Sequence, residues 1–412
     1  MKRASLTVSL LVFVSSLFVA FLVLPEGTAA RVLYVGGTGP DNYTSIQGAV
    51  DAADLGDTVF VHSGTYEENI EINMTLSLVG EDRNTTTIVG DGTDIVVDIS
   101  ADWVNVTGFS IGASGNHGMR LFLAENCRIT GNSISDHERG VYSWLSNNNT
   151  IAENIIIGRA TGFNGVTGVY LDSSDHNIIM NNTFTDNGVG IYMYYSNWND
   201  LTFNELSSLS VFYGIEFRGV GVQLHYSGNN TIADNSLFDS DIGVRLVLSH
   251  DNLIANNSIF SNALRGMSLH GSDGNRIFHN NFADNEEHVW DDSHGNQYDD
   301  RYPSGGNYWD DYTGPDLKSG PNQDQPGGDG MGDTPYDIQV ATGLDRYPLM
   351  SPIGPFELPT VTPPEQESIL EQAWFWVAVV CAAIAVLALL IIIRRRKVAS
   401  DHEVDGGHRE SS

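Results

Sequence analysis

The sequence predicts an all-β fold, a parallel β-helix built from coils of about 22 residues. Two observations carry this. One motif recurs seven times between Gly118 and Phe282 with internal offsets that never change, and its polarity alternates with a period of two instead of the helical 3.6.

Each copy opens with Gly and an aliphatic residue, at Gly118, Gly140, Gly168, Gly190, Gly221, Gly243 and Gly266, and continues into Asn-x-Ile-x-x-Asn-x-apolar. The first Asn slot holds Cys127, Asn149, Asn177, Asn199, Asn230, Asn252 and Asn275. The second holds Asn132, Asn154, Asn182, Asn204, Asn235, Asn257 and Asn280. Successive openings lie 22, 28, 22, 31, 22 and 23 residues apart, so the extra residues enter before Gly168 and Gly221, with one before Gly266. A 22-residue unit is too short for two packed helices and suits three short strands, each coil stacking on the last at about 4.8 Å. Asn at one corner of every coil is expected to take the left-handed conformation and to bond the Asn above and below it as a ladder. The first and third residues after each Gly are expected to fill the bore, as in Val169/Leu171 and Ile191/Met193, with Val141/Ser143 breaking the pattern.

The flanking segments read as export and anchorage. Residues 1–30 pair Lys2 and Arg3 with an apolar run from Leu6 to Leu24 and small residues Thr28, Ala29 and Ala30, the layout of a secretory signal. Residues 31–112 form an N-terminal cap and the first coils, with a short amphipathic helix over Thr44 to Asp54 and strands near Thr58–His62, Leu76–Val79, Ile88–Val89 and Ile95–Ile99. The repeats occupy 113–285, and a C-terminal capping segment 286–350. A Pro-rich stalk follows over 351–372. Residues 373–393 carry no charge over 21 positions, enough for one membrane-spanning helix, with Trp374 and Trp376 at its outer edge. Arg394, Arg395, Arg396 and Lys397 then place 394–412 in the cytoplasm and the β-helix outside the cell. Eight Asn-x-Ser/Thr sequons, at Asn42, Asn73, Asn84, Asn105, Asn148, Asn181, Asn229 and Asn256, suit an exported glycoprotein. The net charge of −32, with only three lysines, argues against nucleic acid as a partner. Cys127 and Cys381 form no disulfide framework.

The stretch Gly56 to Ile70, the Asn-x-Ile-x-x-Asn coils, Tyr302-Pro-Ser-Gly-Gly-Asn-Tyr-Trp-Asp-Asp-Tyr-Thr-Gly314, Asp329-Gly-Met-Gly-Asp-Thr-Pro-Tyr336 and Asp345-Arg-Tyr-Pro-Leu-Met350 together resemble the NosD-like family. The resemblance spans roughly Arg31 to Met350. It implies a right-handed, pectin-lyase-like β-helix, export, an archaeal cell-surface setting and, from the family's name, copper binding in the maturation of nitrous oxide reductase. It carries over no catalytic residue, and fold similarity does not establish function.

The chemistry is therefore sought on the outer face, where the second and fourth residues after each Gly point to solvent. They give Arg120/Phe122, Tyr142/Trp144, Tyr170/Asp172, Tyr192/Tyr194, Gln223/His225, Arg245/Val247 and Ser268/His270. Tyr142, Trp144, Tyr170, Asp172, Tyr192, Tyr194, His225 and Arg245 are the candidate ligand-binding residues, since aromatic rings flanked by hydrogen-bonding groups suit a linear glycan or a surface partner. The competing reading is that exterior aromatics stabilise the strands by cross-strand contact. The insertions near Ile157–Thr167 and Ser207–Val220 would wall this stripe into a groove.

An enzyme is the lesser expectation. A hydrolase needs paired carboxylates, and the stripe offers Asp172, with Glu216 on an insertion; a lyase or epimerase needs a base beside a cation, and Arg245 lies coils away. His225 and His270, two coils apart, are too distant to share a copper ion. His288, Asp291, Asp292 and His294 cluster in sequence. Asn322, Asp324, Asp329 and Asp333 resemble an oxygen-rich loop for a structural calcium.

Overall fold

Three long parallel sheets form the walls of a β-solenoid, with eleven, ten and eleven strands. The computed structural model describes residues 30–92, 95–112, 116–159, 166–207, 219–338 and 343–354. These fall in one unit, Met1–Phe356, while Glu357–Ser412 lies outside the described residues, as do the secretory signal, the stalk beyond residue 354, the 373–393 span and the cytoplasmic tail. Among the described residues no helix is long and apolar enough to cross a membrane.

Each repeat contributes one strand to each wall. The strand after Gly168, for example, runs Thr167–Asp172, followed by Ile178–Met180 and Thr183–Thr185. Every strand pairs in parallel with its equivalent one coil away, so a residue's column along the solenoid follows from its offset in the repeat. The bore-facing pairs Met119/Leu121, Val169/Leu171, Ile191/Met193 and Val222/Leu224 are fully buried. Each such side chain contributes about 1.5–3 kcal/mol. The exception, Ser143, is buried too and reaches Ser146 O at 3.3 Å and Ser174 Oγ at 3.4 Å, which satisfies its hydroxyl inside the wall.

The repeated Gly answers to crowding between coils. A Cβ on Gly190 would stand 2.5 Å from Leu206 Cδ2 and 2.7 Å from Gly221 O, and Gly140, Gly168, Gly221 and Gly243 meet the next coil's Gly carbonyl in the same way.

The asparagines do form ladders. In the second slot, Asn204 donates its backbone N–H to Asn235 Oδ1 (2.9 Å) and its Nδ2 to the same oxygen (3.0 Å) and to Ile179 O (2.8 Å). Their backbone differs from expectation. The left-handed residues are those just before them, such as Asn148, Trp198, Asn229 and Phe203, while the ladder asparagines lie outside that region. The preceding residue turns the corner, which leaves the Asn amide pointing inward along the stack. A third ladder runs through Ser146, Ser174, Ser196, Ser227, Ser249 and Ser272, each backbone N–H meeting the next hydroxyl.

At the N-terminal end a helix covers Ile46–Asp51, shorter than the expected span, with Ser45 accepting from Gly48 N and with Ile46, Ala49 and Val50 buried. The strands Gly64–Glu67 and Ile70–Ile72 complete the first coil and escaped the sequence reading. At the other end Trp309 stacks between Phe282 (4.6 Å) and Tyr336 (4.3 Å), and Tyr298 is fully buried. Trp290 continues the outer face opposite Ser268, under the Arg265 guanidinium at 5.0 Å. Ser268 is thereby buried and bonds His270, which corrects its placement as a solvent-facing residue.

Candidate functional site

The ten-stranded sheet sets the stripe residues in two columns. Pairing joins Arg120, Tyr142, Tyr170, Tyr192, Gln223 and Arg245 in one line, and Phe122, Trp144, Asp172, Tyr194 and His225 in the line beside it. All eight predicted ligand-binding residues therefore lie on one face over five coils.

The rings face one another. Tyr142 and Tyr170 stack at 5.3 Å and 22°, and Tyr170 and Tyr192 at 4.9 Å and 18°. Arg139, one place before its Gly, lies over Tyr142 at 4.9 Å and Tyr170 at 4.8 Å. Both faces of Tyr170 are thus covered, and this column presents ring edges and hydroxyls outward. Sugar stacking on these faces, the reason that singled them out in sequence, is closed off. What remains is a rail of hydroxyl, amide and guanidinium groups, one per coil.

That rail is polar and partly desolvated. Tyr142 OH donates to Asp172 Oδ2 at 3.5 Å, and Tyr192 OH meets His225 Nδ1 at 3.3 Å. Burial raises the Tyr142, Tyr170 and Tyr192 phenol pKa values, reinforced by Asp172, so all three hydroxyls stay protonated donors. Burial and then Arg245 lower the His225 pKa, which favours the neutral imidazole. Two flanking arginines are neutralised, Arg120 by Asp98 (2.6 Å) and Arg265 by Glu287 (2.7 Å). Arg245 is not: among the described residues it makes no ion pair, and its Nε is buried without a hydrogen-bond partner. Burial, then the nearby Arg265, lower its pKa. Asp172 has Trp144 and Tyr194 as its column neighbours, so no second carboxylate stands beside it there for acid–base chemistry. Residues 160–165 and 208–218 of the insertions, with Glu216, lie outside the described residues.

A third column escaped the sequence reading. The fifth residue after each Gly, Leu123, Leu145, Ser173, Tyr195, Tyr226, Leu248 and Gly271, turns the corner with φ between 47° and 55°. Large side chains in this conformation cost about 1–2 kcal/mol each, yet Tyr195 is 50% exposed, Tyr226 39% and Leu248 42%. Tyr195 and Tyr226 stack at 4.9 Å and 8°, with His225 against Tyr226 at 4.4 Å. Counting one place further toward the repeated Ser would have found them.

The proposed calcium loop has its oxygens engaged. Asp329 accepts from Gly320 N, Gln323 Nε2 and Met331 N, and Asp333 from Leu317 N and Lys318 N, while Asp324 is exposed. The sequence cluster at 288–294 disperses. Asp291 holds Tyr298 OH at 2.8 Å, Asp292 faces His270 at 3.5 Å, and His288 turns to Asp310 at 2.9 Å. His288, Asp310 and Asp311 are the one group of three convergent ligand side chains among the described residues. They do not fit copper(I), which takes soft thiolate and thioether donors. Asn285 Nδ2 faces His288 Nδ1 at 3.4 Å, which leaves the proton on Nε2 for Asp310, and two carboxylates with one imidazole are a hard, oxygen-rich set. Cys127 is buried, its thiol pushed up to about 11 by that burial.

A family profile described as periplasmic copper-binding protein (NosD) matches residues 54–219 and 98–314, together more than half of the chain. No curated protein matches at a significant level. Similar solved structures include pectate lyase Pel9A (14% identity, TM-score 0.45, 66% of this chain and 81% of that one). An alginate lyase from Paenibacillus sp. is also similar (14%, 0.37, 68% and 97%). So is the enzymatically active domain of bacteriophage CBA120 tailspike protein 2 (13%, 0.48, 66% and 47%).

Proposed function

We propose that this chain, which belongs to the NosD family, is a non-catalytic carbohydrate-binding module held outside the cytoplasm by a single membrane anchor. The observation that carries the reading is the in-register rail Tyr142, Tyr170, Tyr192, Gln223 and Arg245, ending on a guanidinium with no ion pair among the described residues. An unpaired buried donor is costly unless something answers it. A glycan lying along the solenoid would offer hydroxyls to these groups at successive coils, with Trp144 and Tyr194 at its side. Catalysis is the weaker reading because Asp172 stands without a carboxylate partner in its column. Copper delivery, which the family's description suggests, finds no soft-donor ligand set among the described residues. In the same reading the Ile46–Asp51 helix and the segment after Glu287 close the two ends of the bore, and residues 373–393 supply the anchor.

The test is a glycan array probed with the detergent-solubilised full chain, with metal analysis of the same sample. Retention on polysaccharide spots by metal-free protein supports the reading, and retention on none overturns it. Protease added to intact cells should cut in the 351–372 stalk and spare a C-terminal tag.

A further inference from the structure

The rail carries a pattern of charge. The chain holds 52 carboxylates against 20 lysines and arginines, so a guanidinium on its surface readily meets a carboxylate, as Arg120, Arg265 and Arg276 do with Asp98, Glu287 and Asp300. Two arginines of the ten-stranded sheet do not. Arg245 makes neither an ion pair nor a hydrogen bond among the described residues; its Nε is sealed from solvent, and its two terminal NH2 groups are left for a ligand. The strongest charge acting on it is that of Arg265, a second cation. Arg139, half-buried over the Tyr142 and Tyr170 rings, likewise makes neither contact among the described residues. Residues 160–165, which enter before the strand of Tyr170, are Ala-Thr-Gly-Phe-Asn-Gly and hold no carboxylate; residues 208–218 hold Glu216 and, with it, Arg218.

The two guanidinium groups stand at opposite ends of the rail. Arg139 reaches over the coils of Tyr142 and Tyr170, and parallel pairing sets Arg245 three to four coils further on, about 14–19 Å at about 4.8 Å per coil. Between them Tyr170, Tyr192, Gln223 and His225 offer hydroxyl, amide and imidazole groups, and Asp172 is the one carboxylate of the two columns. A β-1,4-linked pyranose advances a glycan by roughly the rise of one coil, so the two arginines would meet sugars three or four units apart.

Charge then decides which sugars. A guanidinium takes a carboxylate or a sulfate ester through two parallel hydrogen bonds, each stronger than a neutral one. An anionic group is therefore favoured at either end and repelled beside Asp172, and the net charge of −32 acts against a densely charged polymer. We infer that the rail selects a sparsely acidic heteropolysaccharide, with one anionic substituent on Arg139, a second on Arg245, and two or three neutral sugars between them along Tyr170, Tyr192 and Gln223. This rests on the glycan-binding reading above but can fail separately from it.

The experiment is calorimetric titration of the metal-free, detergent-solubilised full chain with pentasaccharides of β-1,4-glucan and β-1,4-mannan that differ only in charge: neutral, uronate at both end units, sulfate ester at both end units, and uronate throughout. The expected result is that an end-charged form binds at least tenfold more tightly than the neutral form, and more tightly than the full uronate, with an advantage that shrinks as salt rises. The carboxylate and sulfate arms identify the anion. Arg139→Gln and Arg245→Gln should each lower the ratio of end-charged to neutral affinity at least threefold with unchanged circular dichroism. The salt dependence is read on the unaltered chain and decides the matter even where a substitution disturbs the tyrosine stack. A neutral or fully uronate form bound as tightly as the end-charged forms, or a ratio that survives both substitutions, overturns the inference and leaves the rail standing. Binding of no pentasaccharide by the unaltered chain overturns both.

Discussion

Asp345 terminates the second asparagine ladder: its Oδ2 accepts the backbone N–H of Asn307 at 2.7 Å, and Asn307 Oδ1 in turn accepts from Asn280 N at 3.0 Å. The same carboxyl takes Trp309 Nε1 at 2.9 Å and Tyr347 N at 3.1 Å, so one buried acid ties the last coil to the end of the described chain.

Burial pushes the Asp345 pKa up to about 7 against the pull of these donors, from an ordinary 3.8. Between these values the unfolded chain has lost the proton that the folded chain retains. Its contribution to stability is therefore full below about pH 4 and is lost as pH rises to about 7. The Tm advantage of the native chain over Asp345→Asn should shrink across that window, and a difference that is flat or grows with pH would contradict the assignment.

Asn204→Leu removes an acceptor for Asn182 and donors to Asn235 and Ile179. A loss of about 3–5 kcal/mol is expected, from two or more buried groups left unpaired at about 1–3 kcal/mol each. Asn229→Gln, at an exposed corner, should cost about 1 kcal/mol through its left-handed backbone alone. Denaturant melts that rank the two equally would refute the ladder.

Gly190→Ala places a methyl against Leu206 and Gly221 O. Overpacking of this kind costs about 1–3 kcal/mol, and thermal unfolding should show it. Gly295→Ala, with φ of 72° but no atom near its Cβ, should cost only about 1–2 kcal/mol through its backbone.

How far the sequence carried these points follows from repetition. Where offsets recur, as for Tyr170 and Tyr192, register and burial are legible because parallel pairing forces equivalent residues into one column. The conformational role of the ladder asparagines was misread, since the amide that stacks and the residue that turns the corner are adjacent and both are often Asn, as at Asn229 and Asn230. Ring orientation was illegible as well: an outward column does not say whether faces or edges meet solvent. The pairing of Asn307 with Asp345, 38 residues on and beyond the last repeat, has no offset to reveal it.

Tyr170 separates packing from recognition. Tyr170→Ala loses stacking on both Tyr142 and Tyr192, about 1–3 kcal/mol at about 0.5–1.5 kcal/mol per pair. Tyr170→Phe keeps both contacts and should melt like the native chain; chemical denaturation of the two variants checks this.

The most direct test of the rail is calorimetric affinity for a bound oligosaccharide in the triple variant Tyr142→Phe, Tyr170→Phe and Tyr192→Phe. The stack survives, and three hydroxyls are removed. At about 0.5–1.5 kcal/mol per hydrogen bond the loss sums to more than tenfold in affinity, with His270→Ala, three coils from Tyr192, changing little. Unaltered affinity in a folded triple variant would contradict the central claim.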